Sequence, residues 1–113
     1  MHEVSIMEEA VRLAVDTAKA KGAGRVSGLR LRVGVLSGVV PEAMHFAFEV
    51  VCRGTIAEGA KLEIESVPAT CWCADCQAEF ECGDWLDECP GCHNLSSELR
   101  RGRDLEITSV ELF

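Results

Sequence analysis

Between Cys71 and Leu99 the chain has neither a lysine nor an arginine. Asp75, Glu79, Glu81, Asp84, Asp87, Glu88 and Glu98 make that stretch acidic, and the whole chain of 113 residues has a formal net charge of −8. Binding to a phosphate backbone needs a basic footprint, so this segment repels DNA and RNA. No apolar run approaches the ~20 residues of a membrane span. The first twenty residues carry Glu3, Glu8 and Glu9 early and no long apolar stretch, so no secretory leader is expected. G-x-S-x-G, P-loop and H-E-x-x-H motifs are missing, no nucleophile–base set stands out, and the protein is not expected to be an enzyme. There is no internal repeat and no low-complexity segment.

Cysteine, in contrast, is abundant. Seven is an odd number, so a full disulfide framework would leave one unpaired. Cys73-Ala-Asp-Cys76 and Cys89-Pro-Gly-Cys92, twelve residues apart, read as a tetrahedral four-thiolate site for zinc, or less often iron. Pro90 presets φ and Gly91 is free to take a positive φ, so the second pair is built to turn; Asp75 holds the matching place in the first and tolerates the left-handed region. The competing readings are a redox C-x-x-C and a disulfide pair. Two matched pairs favour metal, and a cytoplasmic protein with reduced thiols is expected. Four thiolates leave zinc no open position, so the site is structural, not catalytic, and adds a formal −2 to an already acidic lobe. Cys71 and Cys82 are possible alternative thiolates. His93, beside the second pair, reads as a surface residue, His45 as helix surface or core edge, and Cys52 as a small buried apolar residue. For Trp72 and Trp85, closure over the lobe and exposure to a partner stay open.

The rest of the chain alternates helix and strand. Ser5 with Glu8 is a capping-box pattern that predicts a helix from about Ile6, leaving Met1–Glu3 outside it. Met7, Ala10, Val11, Ala14 and Ala18 form its apolar stripe, and Gly22 and Gly24 end it. Residues 29–35 alternate as a strand with Arg30 and Arg32 on one face. Pro41 opens a second helix with Met44, Ala47, Phe48 and Val51 inward, and Gly54 stops it. Strands follow at 62–65 and 104–112. The expected fold is α+β: a three-stranded sheet packed by two helices, with a small zinc-ribbon-like four-cysteine lobe inserted before the last strand. The domains are 1–69 plus 100–113, and 70–99. A lobe of ~30 residues rarely folds without a metal or cross-links.

The terminal amine, amide nitrogens and imidazole of Met1-His2-Glu3 form a nitrogen set that suits square-planar or tetragonal Ni(II) or Cu(II). That start, Val50-Val51-Cys52-Arg53-Gly54 before Glu58-Gly59, and the two cysteine pairs follow one another in the order seen in the HypA/HybF family of nickel metallochaperones. The chain resembles that family over nearly its whole length, and Trp72-Cys73 and Cys92-His93 resemble its HybF-type branch. The resemblance implies nickel delivery for maturation of [NiFe] hydrogenase. By position it implies that His2 binds nickel, assisted by the Met1 amine and the Glu3 backbone or side chain. It assigns structural Zn(II) to Cys73, Cys76, Cys89 and Cys92. Implied partners are a nickel-handling GTPase accessory protein and the hydrogenase large-subunit precursor, with urease maturation in some members; the protein itself would be a monomer or weak homodimer. The alternatives are a zinc-ribbon interaction adaptor without exchangeable nickel, and a thiol redox protein using Cys73 and Cys76.

Overall fold

The structure is a computed structural model that describes residues 2–83, 87–96 and 98–113, the side chain of His2 excepted. Met1 and Trp85 therefore lie outside the described residues. The elements run α1 (His2–Ala20), β1 (Val26–Gly34), α2 (Pro41–Cys52), β2 (Lys61–Val67), β3 (Thr70–Cys73), β4 (Ala78–Glu81), β5 (Glu98–Arg101) and β6 (Leu105–Leu112). They form two three-stranded sheets, ordered β2-β1-β6 and β4-β3-β5. The chain divides into two compact units, Met1–Arg32 with Val39–Glu65 and Glu106–Phe113, and Val33–Gly38 with Ser66–Leu105. Among the described residues no helix is long and apolar enough to cross a membrane.

In the first unit α1 and α2 pack on one another. Met7, Ala10, Val11, Ala14 and Ala18 of α1 are buried, as are Met44, Ala47, Phe48 and Cys52 of α2 and Val26, Leu29 and Leu31 of β1. Full burial of Met7, Leu31 and Met44 contributes about 1.5–3 kcal/mol each. The opposite face of β1 is wet. There Arg30 pairs with Glu63 of β2 at 3.0 Å, and Arg32 bridges Glu65 of β2 and Glu106 of β6 at 3.5 and 3.3 Å. The alternation read in β1 therefore does separate a core face from a charged one.

Helix α1 departs from expectation at its start. It begins at His2, so Ser5 lies inside the helix rather than capping it. Glu3 sits in the first turn, where a carboxylate meets the positive end of the helix dipole. Its carboxyl group is held below the usual value of 4.5 by its own backbone N–H and by that of Val40. The Val40 amide donates to Glu3 Oε2 at 3.2 Å, and Val40 is the N-cap of α2, which has no side-chain cap of its own. One acidic residue thus serves the starts of both helices. The end of α1 follows the glycine reading: Gly22 has φ +71, with Gly22 N–H donating to Lys19 O and Ala23 N–H to Ala18 O, a Schellman closure.

The second unit holds the smaller sheet, which the sequence pattern had not revealed. Strand β3 pairs antiparallel with β4, Cys71 opposite Phe80 and Cys73 opposite Ala78, and with β5, Cys71 opposite Leu99. Its core is small: Ala69, Cys71, Cys82 and Leu99, with Leu36 and Phe80 packed against them. Trp72 faces away from that core and takes the Arg100 guanidinium 4.3 Å over its ring. Arg100 also pairs with Glu98, and Arg101 with Glu79, so β5 gives the acidic lobe a basic border.

Candidate metal centre

Each cysteine pair occupies the tip of a hairpin. Cys73 and Cys76 sit where β3 turns into β4. Cys89 and Cys92 sit inside a ribbon closed by the Glu88–Leu95 bridge, by Cys89 N–H to Asn94 O at 2.9 Å and by Ser96 N–H to Asp87 O at 3.0 Å. The two knuckles are built alike. Cys76 N–H points at Cys73 Sγ and Gly91 N–H at Cys89 Sγ, both at 3.4 Å. The residue after each pair is left-handed, Gln77 at φ +51 and His93 at φ +65. The left-handed turn was expected inside the pairs, at Asp75 and Gly91; in both it falls two residues later, at the exit. With the intervening residues left to aim their amides back at the first sulfur, the reversal of direction passes to the position that follows the second.

The two tips converge. Cys73 Sγ lies 3.4 Å from Cys92 Sγ and Cys89 Sγ 3.8 Å from Cys76 Sγ, and all four sulfurs lie within 4.8 Å of one another. A tetrahedron with metal–sulfur bonds of 2.3 Å has edges of about 3.8 Å, so the four residues fit one metal ion. Gly91 lies against the site, where a Cβ would make ordinary contact with Cys76 Sγ at 3.6 Å and Cys89 Sγ at 3.7 Å. Asn94 Nδ2 donates to Asp75 Oδ2 and ties one knuckle to the other. Sequence reasoning missed that brace, although an Asp inside one knuckle and an Asn just past the other is the signal that marks it.

The sulfurs do not share one acidity. Backbone N–H groups of Cys92 and Gly91 draw the Cys89 thiol down to about 7. Contacts with the Cys92, Cys89 and Cys73 sulfurs push Cys76 up to about 12. Without a cation, neighbouring thiolates repel and protons stay on; a divalent ion removes that penalty and deprotonates the set. Metal retention is therefore lost as pH falls, since protons compete for every ligand. Acid titration of the loaded protein, followed by metal release, is expected to show cooperative loss on the acid side of neutrality.

Cys71 and Cys82 do not join this cluster. They form a disulfide with each other, their Cα atoms 6.0 Å apart, within the bonding range. The expectation of wholly reduced thiols fails at this pair, while Cys52, Cys73, Cys76, Cys89 and Cys92 are free. Cys52 is buried on α2, its thiol pushed up to about 11 by desolvation, and His45 is exposed. At the amino end the structure shows the helical backbone of His2 and the engaged Glu3 carboxylate; Met1 and the His2 side chain lie outside the described residues.

The family model described as hydrogenase/urease nickel incorporation, metallochaperone, hypA matches residues 1–112. The chain is 48% identical over 112 residues to the hydrogenase maturation factor HypA of Picosynechococcus sp., covering 99% of each. It is 37% identical over 112 residues to the hydrogenase maturation factor HybF of Salmonella typhimurium, again covering 99% of each. Two solution structures share the fold. A HypA protein superimposes with TM-score 0.72 at 24% identity, over 100% of this chain and 97% of that one. The Ni metallochaperone HypA from Helicobacter pylori gives TM-score 0.65 at 20% identity, over 97% and 96%.

Proposed function

Because the chain belongs to the HypA family of hydrogenase/urease nickel-incorporation metallochaperones, we propose that it carries Ni(II) on its amino terminus and holds Zn(II) structurally in the four-cysteine centre. The observation that carries this division is the closure of the centre. Cys73, Cys76, Cys89 and Cys92 supply four sulfurs to one ion and leave it no open position, so cargo must bind elsewhere.

His2, with the amine of Met1, offers nitrogen donors of the type that Ni(II) takes in tetragonal geometry. Glu3 adds a backbone nitrogen; its carboxylate is already engaged by the amides of Glu3 and Val40, and therefore serves to fix the amino end beside α2. Because the carboxyl group is held below 4.5, that latch is complete at neutral pH and is lost only as pH falls through the depressed value. The zinc lobe, 70–99, shapes a docking surface. Nickel passes by ligand exchange to a nickel-handling GTPase accessory protein and the [NiFe] hydrogenase large-subunit precursor, or to urease maturation factors, in the cytoplasm. No bond of a substrate is made or broken, so the protein acts as a carrier rather than a catalyst.

The test is a nickel titration of untagged protein after elemental analysis. One zinc per chain and one nickel that disappears in His2→Ala, with the helical signal unchanged, is the expected result. Stoichiometric nickel retained by that variant would sink the assignment. Zinc without His2-dependent nickel would leave an interaction adaptor.

A further inference from the structure

The second unit contains two separate sulfur systems, and the disulfide contributes no sulfur to the four-cysteine cluster. Cys71 and Cys73 are both buried and lie two residues apart, hence on one face of β3. The disulfide therefore staples the β3–β4 hairpin near its open end, where Cys82 N–H also donates to Ala69 O at 3.0 Å, while the Cys73–Cys76 knuckle forms its tip. We propose that Cys71–Cys82 is a reversible thiol–disulfide exchange site, taking a dithiol reductant, whose oxidation state sets how firmly the four-cysteine centre keeps its metal.

Burial directs the chemistry. Cys71 is 0% exposed and Cys82 8%, so the incoming thiolate attacks Cys82 Sγ. The S–S bond breaks, Cys71 leaves as a thiolate, and it takes up a proton, because a bare charge among Ala69, Leu99, Leu36 and Phe80 is costly. The second thiol of the reductant then attacks the mixed disulfide and frees Cys82. The reductant loses two electrons and departs as a disulfide, and the protein gains two thiols. Reduction unstaples the hairpin and places a new soft ligand two residues before Cys73. Exchange requires the hairpin to open, and bound metal holds its tip closed. The coupling is reciprocal at equilibrium: bound metal favours the disulfide by the same factor by which the disulfide raises metal affinity.

This rests on the four-cysteine centre being a metal holder, which zinc analysis of the full chain tests separately; neither nickel nor His2 enters the experiment. Zinc-loaded protein is treated with glutathione disulfide or with a phosphine reductant, and its thiols are counted after denaturation. Five thiols in the oxidised form and seven in the reduced form are expected. In competition with a chelator, the reduced form and the C71A/C82A double variant should hold zinc about tenfold more weakly than the oxidised form. Equilibrated with a dithiol, the metal-stripped protein should be half reduced at an about tenfold lower ratio of dithiol to its disulfide than the loaded one. Seven thiols after oxidation, fewer than five, or equal zinc affinities in oxidised and reduced wild-type protein would each overturn the proposal. The wild-type comparison stands even if the double variant does not fold.

Discussion

Replacing Cys92 by serine, or stripping the metal with a chelator, should dissolve the ordered ribbon around the second knuckle while α1 and α2 stay folded. Apart from the Cys71–Cys82 disulfide on the β3–β4 hairpin, the second unit has little else to hold it. Its core is Ala69, Cys71, Cys82 and Leu99 with Leu36 and Phe80 alongside, and burial of such side chains contributes about 1.5–3 kcal/mol each at most. A structural zinc supplies an apparent ~10–16 kcal/mol, far more than any single packing contact, and that binding energy is folding energy. Amide exchange is the discriminating measurement. Protection at Cys89, His93 and Ser96, whose N–H groups bond to Asn94, Cys89 and Asp87, should vanish. The helical circular dichroism, which comes from the first unit, should persist. Persistent protection of those three amides in metal-free protein would mean that the ribbon folds on its own. Cys52→Ser is the matched control: that sulfur is buried on α2 and should leave the metal content unchanged.

Gly102→Ala should be strongly destabilising, because it combines a left-handed backbone with a clash against backbone. Gly102 has φ +105, and a Cβ there would stand 2.5 Å from Ala69 Cα and 3.0 Å from Ala69 Cβ. Its carbonyl accepts Leu36 N–H at 2.6 Å, and a Cβ on Gly34 would run into its carbonyl group. Three stretches of backbone thus meet at Gly34, Ala69 and Gly102, with no room for side chains. The left-handed conformation costs about 1–2 kcal/mol and the enforced backbone shift about 1–3 kcal/mol more. Gly38→Ala separates the two effects, because Gly38 has φ +87 with nothing within 4 Å of a new Cβ; it should cost only the conformational part. Denaturant midpoints of the two variants would show the difference, and equal losses would mean that the crowding relaxes freely.

The four-cysteine site was legible because its chemistry is local: C-x-x-C fixes two sulfurs on one turn, and a second copy supplies the other two. The main helices and long strands were legible from apolar periods in α1, β1 and α2. The small sheet was not, because β3, β4 and β5 are four residues each and β3 draws its buried face from Cys71 and Cys73 rather than from aliphatic residues. Nothing in the sequence says that Cys82 comes back beside Cys71; that follows from the hairpin register. The start of α1 was misread because Ser5 and Glu8 match a capping box, while a carboxylate at Glu3 does the work one turn earlier. The left-handed turns were sought at Asp75 and Gly91, where composition permits them, and occur at Gln77 and His93, where the amide geometry of the knuckle demands them.

The first sheet ends in β2 on one side and β6 on the other. Each strand offers its row of backbone groups to any passing chain, the usual route by which small sheets stick together. Here the rows are guarded by exposed carboxylates, Glu63 and Glu65 on one border and Glu106 and Glu111 on the other. Arg30 and Arg32 pair with Glu63, Glu65 and Glu106 within the same molecule, two cations against three carboxylates, so copies meeting edge to edge bring net negative charge together. Net negative charge on both borders disfavours this route between copies of the chain.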